Sequence, residues 1–170
     1  MEYNFNEIRS GIISALFELY KRDKVMLSID ANERSITHRF AIYIEKEFPE
    51  WNVDCEYNRD GEDPKEIHLN RSNEDDPKND GNKVYPDIIV HKRTTNKNLI
   101  VIEAKKNTSS DLETDKEKIK AYLEEYNYNT GLFIIFNVKN GPLSTDLEWF
   151  NGRIWRTERI DLEFNVNKVG

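Results

Sequence analysis

Three charged residues sit in or beside two short apolar segments, where ionised side chains are unusual. Asp87 opens the apolar segment 88–90, while Glu103 and Lys105 follow the apolar segment 99–102. Charged groups resist burial unless they are paired or bind a metal ion. Two carboxylates beside an ammonium group offer Mg²⁺ the oxygen ligands it prefers, with waters and phosphate oxygens completing the shell. The three residues therefore predict a divalent-metal site at which Lys105 orients or helps to deprotonate a water.

These residues must be positioned by a pair of strands. Both apolar segments are rich in β-branched residues, which is typical of strands, and residues 92–98 between them are polar throughout. We therefore predict an antiparallel hairpin with a long turn. Because side chains alternate along a strand, Glu103 and Lys105 share one face, and Asp87 lies near Glu103 across the pair. The alternative is a solvated hairpin at the edge of a sheet.

The pattern Pro86–Asp87, fifteen intervening residues, then Glu103–Ala104–Lys105 resembles the motif of the PD-(D/E)XK nuclease superfamily, which has the restriction-endonuclease-like fold. The resemblance implies that Asp87 and Glu103 bind Mg²⁺, or Mn²⁺ as a substitute, with the Ala104 carbonyl as a further ligand. It also implies that Lys105 is the catalytic lysine. The implied activity is that of a DNA endonuclease, in which a metal-activated water attacks a phosphodiester.

A helix that carries a further acid is predicted upstream, over residues 31–48 and ending at Pro49. Its apolar residues recur every four positions, at Ile36, Phe40, Ile44 and Phe48. Glu33 lies one turn ahead of this stripe. It either complements the helix dipole or adds a third acid to the metal site. The resemblance favours the metal site, because members of the superfamily often place a Glu on the helix that precedes the sheet.

Three further residues are assigned to substrate binding from their places near strand ends. Residues 51–59 predict a first strand, in which Trp51, Val53, Cys55 and Tyr57 lie on one side. Glu56 and Arg59 either flank the cleft or belong to a solvated strand face. His91 follows the Asp87 strand and either touches substrate or is an exposed histidine at a strand end.

A second helix is predicted over residues 108–126, capped by Ser109 or Ser110. Within it Asp115, Lys118 and Tyr122 have helical spacing. In some branches of the superfamily a polar residue, a Lys and a Tyr on this helix assist at the active site. The resemblance therefore implies substrate-binding roles for Lys118 and Tyr122, whereas the alternative is that Lys118 is a solvated surface residue.

The order of elements predicts the fold class. Residues 131–138 form a nearly continuous apolar run, which predicts a strand buried on both faces and reached by a helical crossover. The order helix, helix, strand, strand, strand, helix, strand predicts an α/β (α+β) fold. It fits the restriction-endonuclease-like αβββαβ core that the resemblance implies, with a mixed central sheet flanked by helices and an extra N-terminal helix. Further on, residues 147–150 predict a short helix or turn, and residues 153–155 and 160–166 predict short strands.

The 170 residues predict one domain. Residues 1–27 hold an N-terminal helix, with its apolar stripe between Phe5 and Lys21, which packs on the domain or on a second copy of the chain. Residues 60–83 form a long, polar, acidic loop that serves as a lid or contacts a partner protein. Residues 84–138 hold the catalytic hairpin, the second helix and the closing strand.

Charge and composition limit the partners. The formal charge is −7, of which residues 60–83 carry −4 and residues 110–126 carry −3. This balance counts against tight, independent binding of long duplex DNA. The lack of a long apolar segment predicts no membrane partner, and the single cysteine fits a cytoplasmic location. The predicted partner is nucleic acid, with DNA favoured, and a homodimer or a partner protein stays open.

Two functions follow from these observations. The first is a Mg²⁺-dependent nuclease, which the complete Asp-Glu-Lys set favours. The second is a non-catalytic module that keeps the nuclease fold and binds nucleic acid or protein, which the acidic surface and the long loop motivate.

Overall fold

The computed structural model describes residues 3–57, 66–67, 82–83, 85–109, 112–138 and 144–162. Within these ranges lie three helices, α1 (Phe5–Ser28), α2 (Glu33–Glu47) and α3 (Glu113–Tyr126). The same ranges contain eight strands: β1 (Asn52–Cys55), β2 (Glu66–Ile67), β3 (Asn82–Lys83), β4 (Ile88–His91), β5 (Asn98–Lys106), β6 (Thr130–Phe136), β7 (Ser144–Phe150) and β8 (Trp155–Asp161).

Six strands form one mixed sheet in the order β1-β4-β5-β6-β7-β8. The β5–β6 pair is parallel and every other neighbouring pair is antiparallel. The parallel pair is joined by α3, which is the crossover that the apolar run of β6 predicted. The class of fold, mixed α and β, is thus confirmed. So is the predicted succession of elements as far as β6, apart from the insertion of β2 and β3.

Each face of the sheet packs against its own hydrophobic core, and alternate residues of β5 belong to the two cores. Ile100, Ile102 and Ala104 pack in the larger core together with α1 and α2. Val101 packs in the smaller core together with α3. Since side chains alternate along a strand, Glu103 and Lys105 lie on the α3 face. The site predicted on the hairpin is therefore covered by α3, while α2 supports the opposite face.

The predicted N-terminal helix is present, extends beyond the amphipathic part between Phe5 and Lys21, and packs on its own domain. α1 runs to Ser28 through a kink at Asp23, whose backbone is non-helical (φ −120°, ψ 20°). The Asp23 carboxylate accepts hydrogen bonds from Arg39 (3.0 Å) and Tyr43 (2.5 Å) of α2, so the kink is anchored. No helix in the described ranges is long and apolar enough to cross a lipid bilayer.

The prediction for the segment after β6 was wrong. Residues 144–150 form strand β7, not a short helix or turn, and its whole length pairs with the single strand β8. Leu147 and Trp149 pack in the larger core, which the alternation of a strand explains. The two short strands predicted near Trp155 are one strand, and residues 163–166 lie outside the described ranges.

Two other boundaries differ from the predictions. α3 begins at Glu113, five residues later than predicted, and its N-cap residue Leu112 makes no side-chain capping bond. Ser109 therefore does not cap it, and Ser110 lies outside the described ranges. In the long segment predicted as a loop, β2 and β3 pair as a two-residue antiparallel ladder, and the remaining residues of 60–83 lie outside those ranges.

We predict that Gly131→Ala destabilises the domain by loosening α3 from β6. A methyl group at Gly131 would overlap Ile119 Cγ2 and lie 3.1 Å from Leu123 Cδ1. The free energy of unfolding should fall by about 1–3 kcal/mol, measured by urea denaturation. In an Ile119→Ala background the same change should cost less, because the overlapping atom is gone. Equal costs in both backgrounds would contradict this packing.

Candidate active site

Asp87 lies directly before β4, and its side chain is hydrogen-bonded to β5 at the predicted site. Ile88 lies opposite Ile102 in the antiparallel pair, which places Asp87 beside the end of β5. Asp87 Oδ2 accepts a hydrogen bond from the Ala104 N–H at 2.8 Å. Because the N–H and C=O of a strand residue point to the same neighbour, the Ala104 carbonyl is also directed to this side. The predicted placement of Asp87 beside the end of the second strand is confirmed.

Glu103 is buried with one carboxylate oxygen that lacks a hydrogen bond. The residue is 2 % exposed, and its Oε1 has no hydrogen-bond partner among the described residues. Burial and the charge of Asp87 raise the pKa of Glu103 well above its ordinary value, although Lys118 opposes them. Burial also raises the pKa of Asp87, against the Ala104 N–H and the charge of Lys105. Both carboxylates thus lie where negative charge is destabilised unless a cation is added.

Lys105 is held between two acids. Its Nζ lies 3.1 Å from Asp115 Oδ2 and 3.6 Å from Glu33 Oε1. Burial lowers the pKa of Lys105, but the hydrogen bond to Asp115 and the attraction of the surrounding acids outweigh it, so the pKa is raised. In this arrangement Lys105 is a fixed, protonated donor.

Glu33 reaches the site from the start of α2. It is the first residue of the helix, after the capping residue Asn32. Its Oε2 accepts a hydrogen bond from the backbone N–H of Lys106 at 3.0 Å, while Oε1 faces Lys105. The dipole interpretation and the third-acid interpretation are therefore compatible, because a residue in the first turn also lies against the end of β5.

Asp115 belongs to the cluster, although it was named only for its helical spacing with Lys118 and Tyr122 and was not among the predicted site residues. It is 3 % exposed and bridges two lysines, with Lys105 at 3.1 Å and Lys118 at 2.6 Å. A signal was present in the sequence, since Asp115 precedes the buried Ile119 and Tyr122 at helical spacing. An acid on the apolar stripe of a helix was the signal that identified Glu33.

Lys118 and Tyr122 also face the cluster, so the alternative, that Lys118 is a solvated surface residue, does not hold. Lys118 donates a hydrogen bond to Asp115. Burial lowers the pKa of Lys118, but the charge of Glu103 and the bond to Asp115 outweigh burial, so the pKa is raised. Tyr122 is fully buried, and its hydroxyl lacks a hydrogen-bond partner among the described residues. Burial and the charge of Glu103 raise the pKa of Tyr122 far above its ordinary range, so it stays a neutral phenol.

The cluster carries an excess of negative charge. Its members are the four acids Glu33, Asp87, Glu103 and Asp115 and the two lysines Lys105 and Lys118. When all six are ionised, two negative charges remain, which one divalent cation would neutralise. Within the described ranges no group of three or more His, Cys, Asp or Glu side chains is arranged to hold a metal. Two carboxylates, a carbonyl, waters and phosphate oxygens are nonetheless a ligand set that Mg²⁺ accepts.

His91 lies apart from the cluster, and the alternative that it is an exposed histidine at a strand end does not hold. It is 3 % exposed, and its Nε2 lies 2.8 Å from Asp54 Oδ2. The strand register shifts between Val90 and His91, and the ring contacts Tyr57 with centroids 5.0 Å apart. His91 lies at the end of β4 that is farther from Asp87, where it packs against Tyr57 and Asp54 and does not face the acids of the cluster. Arg59 lies outside the described ranges.

Glu56 lies near Asp87 in an unusual conformation. Its φ is +49°, so the alternation of β1 ends there, and Tyr57 packs in the smaller core instead of sharing the side of Val53. The predicted common face of the two residues was therefore wrong. The Glu56 N–H donates to the carbonyls of Pro86 (3.1 Å) and Asp87 (3.3 Å), and its carboxylate pairs with Arg34 at 2.8 Å. Glu56 thus flanks the cluster on the side of α2.

No protein-family model matches the chain, and no curated protein is significantly similar to it in sequence. Its function is therefore inferred from the chemistry of the cluster.

We predict that Glu103→Gln stabilises the metal-free protein at high pH. Folding raises the pKa of Glu103, so the native state holds this proton more tightly than the unfolded state does. The native state therefore loses stability as the pH rises above 4.5, the ordinary pKa of a glutamate. In EDTA at pH 8 the variant should exceed wild type by at least about 1 kcal/mol. The difference should vanish near pH 4. The exposed Glu117→Gln is the control, and a less stable Glu103→Gln at pH 8 would contradict the burial of this charge.

Proposed function

We propose that the protein is a Mg²⁺-dependent phosphodiester hydrolase that acts on nucleic acid, with DNA favoured, and that it has a restriction-endonuclease-like fold. The carrying observation is the cluster of four acids and two lysines, in which the buried Glu103 has an oxygen, Oε1, without a hydrogen-bond partner among the described residues. The succession α2, β1, β4, β5, α3, β6 supports the αβββαβ core of that fold. The acid-acid-lysine pattern of the hairpin supports the chemistry.

Each residue has a distinct part in this proposal. Asp87 and Glu103, with the Ala104 carbonyl, would hold Mg²⁺, because they combine hard oxygen atoms with uncompensated charge. Bound Mg²⁺ would stabilise negative charge on the phosphate and lower the pKa of a water. Glu33 fixes the end of β5 through the Lys106 N–H and keeps Lys105 in place. Glu33 is thus a positioning residue, with a place in the metal shell as the further option.

Lys105 acts as a cation and donor. Its raised pKa keeps the proton on Nζ, so it suits orientation of the attacking water and stabilisation of charge on the phosphate better than it suits removal of a proton. Asp115 shares its two oxygens between Lys105 and Lys118. It therefore fixes the direction from which both ammonium groups approach the reacting phosphate.

The charges outside the cluster favour a limited grip on substrate. Lys106 is occupied by Asp30 at 2.8 Å, and Arg93 by Asp54. With a formal charge of −7, the chain as a whole is repelled by the phosphates of a long duplex. We infer that the substrate is a short region of nucleic acid, such as a chain end or a single strand, or that a partner protein presents it.

We predict metal-dependent cleavage that needs the hairpin residues. Purified protein with Mg²⁺ or Mn²⁺ should cut at least one of single-stranded DNA, duplex DNA or RNA. Asp87→Ala and Lys105→Ala should lower the rate by roughly 100- to 10,000-fold, because they remove metal-ligand and transition-state charge. Lys120→Ala, in an exposed pair with Glu117 on α3, is the control. Absent cleavage, or variants as active as wild type, would refute the hydrolase.

The non-catalytic module is the second candidate, and two observations favour it. Lys105 is engaged by two acids, and the described residues hold no group of three metal-ligating side chains. Calorimetry separates the candidates. For the hydrolase we predict stoichiometric Mn²⁺ binding that Glu103→Ala abolishes. Binding should weaken as the pH is lowered, because protons compete with Mn²⁺ for Glu103, whose pKa is raised. Weak or absent binding would support the module.

A further inference from the structure

A small pocket opens beside Asp87, on the side away from Lys105. Its volume is about 190 Å³, and it is lined by Arg34, Thr37, His38, Cys55, Glu56 and Asp87. Typical pockets for small molecules measure about 300–1,000 Å³, so this one suits a single small group. Arg34, Thr37 and His38 lie on one face of α2, because they are three and four residues apart.

The cation in this pocket is available to a ligand. The Arg34 side chain is 82 % exposed, and it pairs at 2.8 Å with the carboxylate of Glu56, whose side chain is 46 % exposed. An exposed ion pair of this kind contributes little to stability, so a competing anion displaces it at small cost. A guanidinium group matches the oxygens of a phosphate with two parallel hydrogen bonds. His38 is also exposed and offers a ring N–H one turn along the helix.

Glu56 is fixed at the mouth of the pocket by its backbone. A positive φ of 49° is uncommon for a residue other than glycine, and two bonds from its N–H to the carbonyls of Pro86 and Asp87 hold it there. The carboxylate is therefore set opposite Arg34 by the chain itself. Its charge lies where an incoming phosphate would have to approach Arg34.

The pocket offers cationic groups over a short distance only. A second pocket shares His38 and Cys55 with it and extends along α2 to Glu45 and Asp54. Glu45 there repels a second phosphate, and Asp54 already occupies Arg93, so that cation is not offered to a ligand. The pocket is therefore matched to one phosphate and not to a long stretch of backbone.

We propose that this pocket binds one phosphate of a nucleic acid strand, next to the bond that is cut at Asp87, through Arg34 and His38. We further propose that Glu56 screens Arg34 until the strand displaces it. The inference rests on the proposed hydrolase function and adds a phosphate subsite with a built-in competitor. Such screening would suppress binding of anions that do not also reach the metal site.

Two substitutions with opposite expected effects test the subsite. The probe is a fluorescein-labelled 15-residue DNA oligonucleotide, single-stranded or duplex, bound in Ca²⁺ and followed by fluorescence anisotropy. Arg34→Ala should weaken binding about tenfold and lower the slope of log Kd against log salt by roughly 1. Glu56→Gln should tighten binding several-fold. A merely structural ion pair would give no such opposition, since both variants would lose the same contact.

The exposed pair Glu18–Arg22 on α1 supplies matched controls of equal charge change. Arg22→Ala and Glu18→Gln should leave the affinity unchanged, and urea denaturation confirms that all four variants fold. If wild type binds and cleaves while the Arg34 and Glu56 variants shift affinity in the same direction, or not at all, the subsite is wrong and the hydrolase stands. If wild type neither binds nor cleaves any nucleic acid, the subsite and the hydrolase fall together.

Discussion

Four carboxylates gather beside the ends of β4 and β5, those of Glu103 and Asp115 buried and those of Glu33 and Asp87 half-buried, and the site and its supporting elements depend on this constraint. Each buried charge needs a partner, and removing one partner from such a pair is usually costly. Lys105 meets this need twice, since it bonds to Glu33 of α2 and Asp115 of α3. The two helices support opposite faces of the sheet, so this one ammonium group ties both layers together at the site.

The two lysines do not complete this compensation, and the deficit is informative. Glu103 keeps an oxygen without a partner among the described residues, and its pKa is raised together with that of Asp87. A sequence selected only for stability would replace such a residue with an apolar one. Residues that lower the stability of the fold are expected at functional sites. The deficit of positive charge therefore supports a site that is completed by a cation.

Local patterns predicted the parts of this site whose positions are set within one element. The β-branched runs gave the hairpin, and the stripe of α2 gave Glu33 its face. The misses depend on non-local contacts. The positive φ of Glu56 turns Tyr57 to the other face, and the shift before His91 buries that ring against Asp54. β7 is a strand along its length because β6 and β8 pair with it, which its own short pattern does not reveal.

The same balance of charges bears on the proposed function, in which an acidic chain would act on an acidic polymer. Several cations near the site are engaged by carboxylates of the chain, as in Lys106 with Asp30 and Arg34 with Glu56. Binding then exchanges one anionic partner for another, so the gain is a difference between two ion pairs and not a full new attraction. Exchange is easiest where the existing pair is most exposed. That condition selects Arg34, with its side chain 82 % exposed, over Lys106 at 17 %. Under the proposed function, substrate affinity would accordingly be set at the α2 edge of the site, while the half-buried Lys105 and Lys118 would serve the reacting phosphate.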